Sequence, residues 1–164
     1  MTPPSSDLLV RAASHADLDV LVEFNIAMAR ETEDKQLDRT VLRAGVQAIL
    51  AESRRGFYRV AEASGEVVGC LMVTYEWSDW RNGDWWWLQS VYVRPPHRRL
   101  GVFRALYQHV ERDASTRSAV VGIRLYVENE NLRAQKTYAM LGMREEHYRM
   151  YGKPLRRDLG GNGA

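Results

Sequence analysis

The chain has 164 residues, 45% of them hydrophobic and 27% charged, which suits one domain that buries its own core. Its 23 basic and 21 acidic residues leave a net charge of +2, too balanced to argue for a nucleic-acid binder, and no apolar run is long enough to span a bilayer. Cys70 is the only cysteine, so an internal disulfide is excluded and a reducing cytoplasm is the expected location.

Residues 1–7 are polar and Pro-containing without the apolar stretch of a signal peptide, and read as a disordered leader. Residues 156–164, ending in a Gly-rich run, read as a flexible tail, which leaves 8–155 as a single domain. Residues 8–12 are a first strand. Ser14 caps a helix on which Leu18, Leu21, Val22, Ile26 and Met28 recur at helical spacing. A second helix follows Asp38, with Val41, Leu42, Val46, Ile49 and Leu50 facing inward, and Gly56 ends it. Glu31 and Glu33 fall at the junction of these two helices.

Three strands come next, at 57–63, 66–76 and 85–93, the first two joined by a Ser64-Gly65 hairpin turn. Between the second and third lies a Trp-rich turn in which Asp79 and Asp84 accompany Trp77, Trp80, Trp85 and Trp87. Core packing is the commonest use of Trp; acidic groups beside exposed indoles would also suit a cationic amine. After the third strand the pattern changes abruptly. Val91, Tyr92 and Val93 have strand character, Pro95 and Pro96 cannot donate to a ladder, and from Phe103 the apolar positions follow helical spacing. The first turn of that helix presents unpaired N–H groups and a partial positive charge, so Arg98, Arg99 and Gly101 sit where an anion would be held. Neither G-x-x-x-x-G-K-S/T nor G-x-G-x-x-G is present, which excludes a Walker loop and a dinucleotide fingerprint. A strand at 122–127, a helix capped by Asn131 and stopped by Gly142, and a last strand near 144–151 complete the order.

Two segments carry a family resemblance. R-R-L-G-V-F at 98–103 resembles the Q/R-x-x-G-x-G/A motif of the GNAT N-acetyltransferases, with Phe103 where glycine or alanine is usual. N-E-N-L-R-A-Q-K-T-Y-A-M-L-G-M at 129–143 resembles the family's next element, N-x-x-A-x-x-x-Y-x-x-x-G-F/M, and Asn131, Ala134, Tyr138, Gly142 and Met143 match in register. The resemblance implies an α/β (α+β) GNAT fold, a mixed, mostly antiparallel sheet of six to seven strands flanked by about four helices. It implies acetyl-CoA as co-substrate and transfer of its acetyl group to a primary amine by direct attack in a ternary complex.

The same resemblance assigns residues. Val91, Tyr92 and Val93 would line the pantetheine arm and Asn131 would bond it. Arg98, Arg99, Leu100, Gly101, Val102, Phe103 and Arg104 would form the pyrophosphate cradle. Tyr138 would be the general acid for the leaving thiolate. Many family members carry a glutamate base where this chain has Gln89, so a carboxylate elsewhere, with Glu31 and Glu33 the candidates, or a water relay takes its place. The acceptor expected is a small, positively charged amine. Two other readings stay open: an acyl-CoA-binding sensor without transfer, and a nucleic-acid module built on Arg94, Arg98, Arg99 and Arg104. His15, His97, His109 and His147 show no metal spacing, so no metal is expected. Exposed sheet edges are compatible with a homodimer.

Overall fold

The computed structural model describes residues 8–155; the expectations for a leader at 1–7 and a tail at 156–164 fall outside them. Strands β1 (Leu9–Ala12), β2 (Phe57–Ala63), β3 (Glu66–Ser78), β4 (Gly83–Val93) and β5 (Val120–Arg124) lie side by side in chain order. The first three pairings are antiparallel and β4 pairs with β5 in parallel. Helices α1 (Leu18–Glu33) and α2 (Arg39–Ala51) separate β1 from β2, α3 (Val102–Ser115) separates β4 from β5, and α4 (Leu132–Met140) follows β5.

Local chemistry explains most boundaries. Asp38 caps α2 by accepting from the Thr40 and Val41 amides at 2.8 and 3.0 Å, and Asn131 caps α4 by accepting from Ala134 at 3.0 Å, each satisfying donors the helix leaves unpaired. Ser64 and Gly65 both take positive φ, 51° and 80°, the conformation of a two-residue hairpin whose twist matches its strands. Arg11 on β1 grips Asp17 with two N–H···O bonds of 2.8 and 2.9 Å and also pairs with Glu62 on β2, which ties the chain's first turn to the sheet edge.

Strand alternation divides the apolar residues between two cores. Tyr58, Val60 and Cys70 face Leu21, Val22 and Phe24 of α1 and Val46 and Ile49 of α2. Ala61, Leu71, Val73, Trp86 and Leu88 face Val102, Leu106, Tyr107 and Val110 of α3. Burying each such large side chain contributes about 1.5–3 kcal/mol, so these two layers hold the sheet between its helices.

β4 changes phase partway along. Cys70 pairs with Tyr92 but Met72 pairs with Gln89, so three steps on β4 oppose two on β3, and Ser90 takes φ 47°. This is a β-bulge. Before it the even-numbered Trp86 and Leu88 face α3; after it the odd-numbered Val91 and Val93 pack there, and Tyr92 turns to the α1 side. Near the same point β4 loses its other neighbour. The ladder to β5 covers only Asp84, Trp85, Trp86 and Trp87, so residues 88–93 present an unpaired edge where the two parallel strands diverge.

Three expectations need correction. Five strands form among the described residues where six to seven were expected: 144–151 is not a strand, because the segment has no paired neighbour and leaves Tyr148, Met150 and Tyr151 exposed. The strand expected at 122–127 runs from Val120 to Arg124 instead, ending where β4 diverges from it. Val41 is 48% exposed and does not face the core. The mixed, mostly antiparallel sheet and four helices are as expected.

Candidate active site

After β4, Pro95 and Pro96 turn the chain through a single 3-10 turn, Pro95–His97, and release it into the N-terminus of α3. Arg99 and Gly101 both take left-handed backbone conformations, φ 65° and 84°. The first backbone bond of the helix is from Ala105 to Gly101, at 2.9 Å. The amides of Arg99, Leu100, Gly101, Val102, Phe103 and Arg104 therefore find no acceptor among the described residues. Consecutive free N–H groups at a helix N-terminus make an anion cradle. The exposed side chains of Arg99 and Arg104 stand beside it without an ion pair among the described residues.

Arg98 behaves differently. Its Nε donates to the Val93 carbonyl at 2.8 Å, a terminal nitrogen pairs with Glu31 at 2.6 Å, and the guanidinium lies 5.4 Å above the Tyr92 ring. Glu31 is thus held by Arg98 on one oxygen and by the Tyr92 hydroxyl, at 3.2 Å, on the other. Glu33, in the same last turn of α1, pairs with Lys35 at 2.6 Å. Neither carboxylate lines the cleft described next.

A cleft of about 320 Å³ opens between β4, α3 and α4. Val91 and Phe103 form one wall and Asn131, Ala134 and Tyr138 the other, with Arg133 and Thr137 completing it. It brings together Val91 of the strand, Phe103 of the loop helix, Asn131 at the α4 cap and Tyr138 of α4, which the sequence motifs single out in separate segments. The Phe103 ring turns toward α4, 6.2 Å from Tyr107 and 5.9 Å from Tyr138 in an edge-on contact, so it walls the cleft while its amide remains part of the cradle. Tyr138 is half-buried, makes no hydrogen bond among the described residues, and has its phenol pKa pushed up by burial.

Across the sheet, Trp85, Trp87 and Gln89 point away from α3, since Trp86 and Leu88 between them point toward it. Gln89 donates to Thr74 on β3. The Trp87 indole N–H donates to Glu76, which also pairs with Arg124 at 3.0 Å; Arg124 in turn contacts Glu146 and stacks 3.8 Å from Trp85. Of the five tryptophans Trp86 is core, and Trp77 and Trp80 at the hairpin tip are 59% and 88% exposed. Cys70 is no nucleophile: burial pushes its thiol up to about 12, and Sγ donates to the Ser90 carbonyl at 3.4 Å.

Sequence reasoning missed Arg133 and Thr137, although their helical spacing from Ala134 and Tyr138 was a usable signal. It also missed Glu76 and Arg124, for which no local signal exists.

Comparison with known proteins agrees with this geometry. Residues 21–143 match the model of the acetyltransferase (GNAT) family. A structure described as a "possible acetyltransferase" from Clostridium difficile 630 is 44% identical, covers 92% of this chain and 99% of its own, and superposes with a TM-score of 0.86. The aminoglycoside N-acetyltransferase AAC(6')-Iy, solved in complex with a CoA bisubstrate analogue, shares the fold at 19% identity, covering 91% of this chain and 99% of its own with a TM-score of 0.72. No curated protein matches. With its family motifs on the cradle and the cleft, and the match running over most of its length, this chain belongs to the GNAT acetyltransferase family.

Proposed function

We propose that the chain is an N-acetyltransferase that moves the acetyl group of acetyl-CoA to the primary amine of a small cationic acceptor. The observation that carries this reading is the run of unpartnered amides at residues 99–104, set beside the open edge of β4 and the Tyr138 cleft. A pyrophosphate fits that run because it needs several donors at close backbone approach, which the left-handed Arg99 and Gly101 permit. The unpaired edge at 88–93 offers amides and carbonyls to the pantetheine arm, as an added strand would use them, and Asn131 and Phe103 line the way between.

Within this reading the bulge has a chemical use. An amide beside Val91, freed from the ladder, faces the thioester oxygen and stabilises charge as it develops there. The amine nitrogen attacks the thioester carbon, the C–S bond breaks, and the departing sulfur takes its proton from the Tyr138 hydroxyl. The acceptor nitrogen gives up a proton to water before it attacks and a second as the amide forms, and water returns one proton to the Tyr138 phenolate. Glu31 and Glu33, the carboxylates considered as the base, are each held in an ion pair, and neither lines the cleft. Gln89, bonded to Thr74, cannot substitute. The acceptor's charge is suggested by the far face of the sheet, where Glu76 and Glu146 both pair with Arg124 beside Trp85 and Trp87, and Arg81 lies over the Trp85 ring without an ion pair among the described residues. An aminoglycoside acetyltransferase sharing this fold is consistent with such an acceptor. The chain would act in the cytoplasm.

The test is free-thiol release from acetyl-CoA over a panel of polyamines, aminoglycosides, amino acids and peptide N-termini. Amine-dependent release establishes the reaction and its substrate class together. Tight acetyl-CoA binding with no release for any amine would replace the enzyme by a sensor, the reading that Gln89 in place of a glutamate keeps open.

A further inference from the structure

The family motif begins at Arg98, and a cation at the head of a phosphate-binding loop invites the assumption that it meets the phosphate. Its contacts point elsewhere. One edge of the guanidinium is engaged by the protein: Nε by the Val93 carbonyl at 2.8 Å and a terminal nitrogen by Glu31 at 2.6 Å, with the group over the Tyr92 ring. Tyr92 closes the ring of contacts by donating to Glu31 at 3.2 Å and packing on Phe24 of α1, 5.0 Å between centroids. One side chain therefore joins the end of β4, the last turn of α1 and the start of the cradle.

We propose that Arg98 is a positioning residue, a clamp that preorganises the cradle, and that Glu31 is its anchor. The inference rests on the reading of 99–104 as the acetyl-CoA pyrophosphate site. The next residue explains why a clamp is useful. Arg99 holds φ 65°, a conformation that strains a non-glycine residue and persists only where neighbours enforce it. Arg98 immediately before it is fixed at two points, and Gly101 beyond it needs no such help. The turn that carries the free amides of the cradle is held in this shape before any ligand arrives, which spares the ordering cost at binding. A guanidinium suits the task because its rigid fork serves two acceptors at once, whereas an ammonium on a flexible stem does not.

The clamp and a phosphate contact predict opposite signs for one substitution. Acetyl-CoA is a polyanion, so removing the negative charge of Glu31 and releasing Arg98 should tighten binding if Arg98 reaches for phosphate. If Arg98 is a clamp, Glu31→Gln should weaken acetyl-CoA binding by about 5–10-fold, a coupling typical of residues in one ion-pair network. Arg98→Lys keeps the charge and should weaken binding to a similar degree. Glu31→Gln combined with Arg98→Lys should be little worse than either alone. Dissociation constants for acetyl-CoA by calorimetry read all three, with ligand-free melting curves confirming that each variant folds. Tighter or unchanged binding in Glu31→Gln, or full affinity in Arg98→Lys, would overturn the clamp. Should Glu31→Gln not fold, Glu31→Asp, which keeps the charge but shortens the reach to Arg98, takes its place: weaker acetyl-CoA binding supports the clamp, and unchanged or tighter binding overturns it. Failure of the wild-type chain to bind acetyl-CoA is a separate outcome, and it removes the cofactor reading along with the clamp.

Discussion

Tyr138 sits in the cleft with its ring against Phe103 and no hydrogen bond to its hydroxyl among the described residues. Burial pushes its pKa up, so the phenol stays protonated throughout the neutral range, the form a proton donor requires. Tyr138→Phe keeps the ring contact and deletes only the hydroxyl. Turnover should fall on the order of 10²-fold with the acetyl-CoA dissociation constant preserved, read from initial rates beside equilibrium titration. Turnover equal to wild type would take the hydroxyl out of the reaction. Asp17 shows the other use of a perturbed group. The Arg11 side-chain hydrogen bond, outweighing burial, holds its carboxyl below the ordinary 3.8. A folded value below the unfolded one means that the contribution is complete above the unfolded value and is lost as pH falls through the folded one. Asp17→Asn should therefore cost about 1–3 kcal/mol at neutral pH, and the gap from wild type should begin to narrow in urea melts below about pH 4 and go on closing as the pH falls further. A gap independent of pH would mean that the charge of Asp17 contributes nothing.

Helix starts and hairpin turns were legible because their causes are local. Asp38, Asn131 and the Ser64-Gly65 pair act on backbone groups within a few residues, so their chemistry is written in the adjacent sequence. Strands at the far end were not legible, because a strand exists only if a neighbouring edge accepts it. Residues 144–151 have strand-like composition and no such edge, and β5 ends at Arg124 for the related reason that β4 has turned away. The bulge left a trace that the alternation could have revealed: apolar core positions fall on Trp86 and Leu88, then on Val91 and Val93, a change of parity that one extra residue explains. The start of α3 carries the sharpest demand on a single residue type. Gly101, at φ 84°, caps the helix in a conformation that β-branched residues avoid. Gly101→Val should leave the sheet and both cores intact by circular dichroism while weakening acetyl-CoA binding about tenfold or more, the affinity equivalent of that strain with loss of close approach added. An unaltered dissociation constant would place the pyrophosphate elsewhere.

The parts of the site that the sequence disclosed are those made by contiguous backbone. The cradle is one segment, and its free N–H groups follow from any helix that begins there. The parts it withheld depend on folding distant segments together: Glu31 meets Arg98 from 67 positions away, and Glu76 meets Arg124 from 48. No pattern in either neighbourhood names its partner, so the Arg98–Glu31 pair is visible only where the fold lays α1 against the end of β4. This division makes a prediction about the molecule as a unit. The open β4 edge, the cleft and the aimed amides coexist only in the folded chain, so acetyl-CoA should bind the native state and not the unfolded one. At 100 times its dissociation constant such a ligand adds about 2.7 kcal/mol, which for a domain of this size raises the melting temperature by about 5–10 °C. CoA itself should do nearly as well, because the cradle and the edge contact the parts it shares with acetyl-CoA. A single-stranded oligonucleotide should leave the transition in place: Arg98 is paired with Glu31 and Arg94 lies over Phe24, which leaves Arg99 and Arg104 too few to track a backbone on a loop that carries no exposed aromatic of its own. Differential scanning fluorimetry with the three ligands separates these cases, and a shift with the oligonucleotide but not with either CoA species would transfer the basic loop from cofactor to nucleic acid.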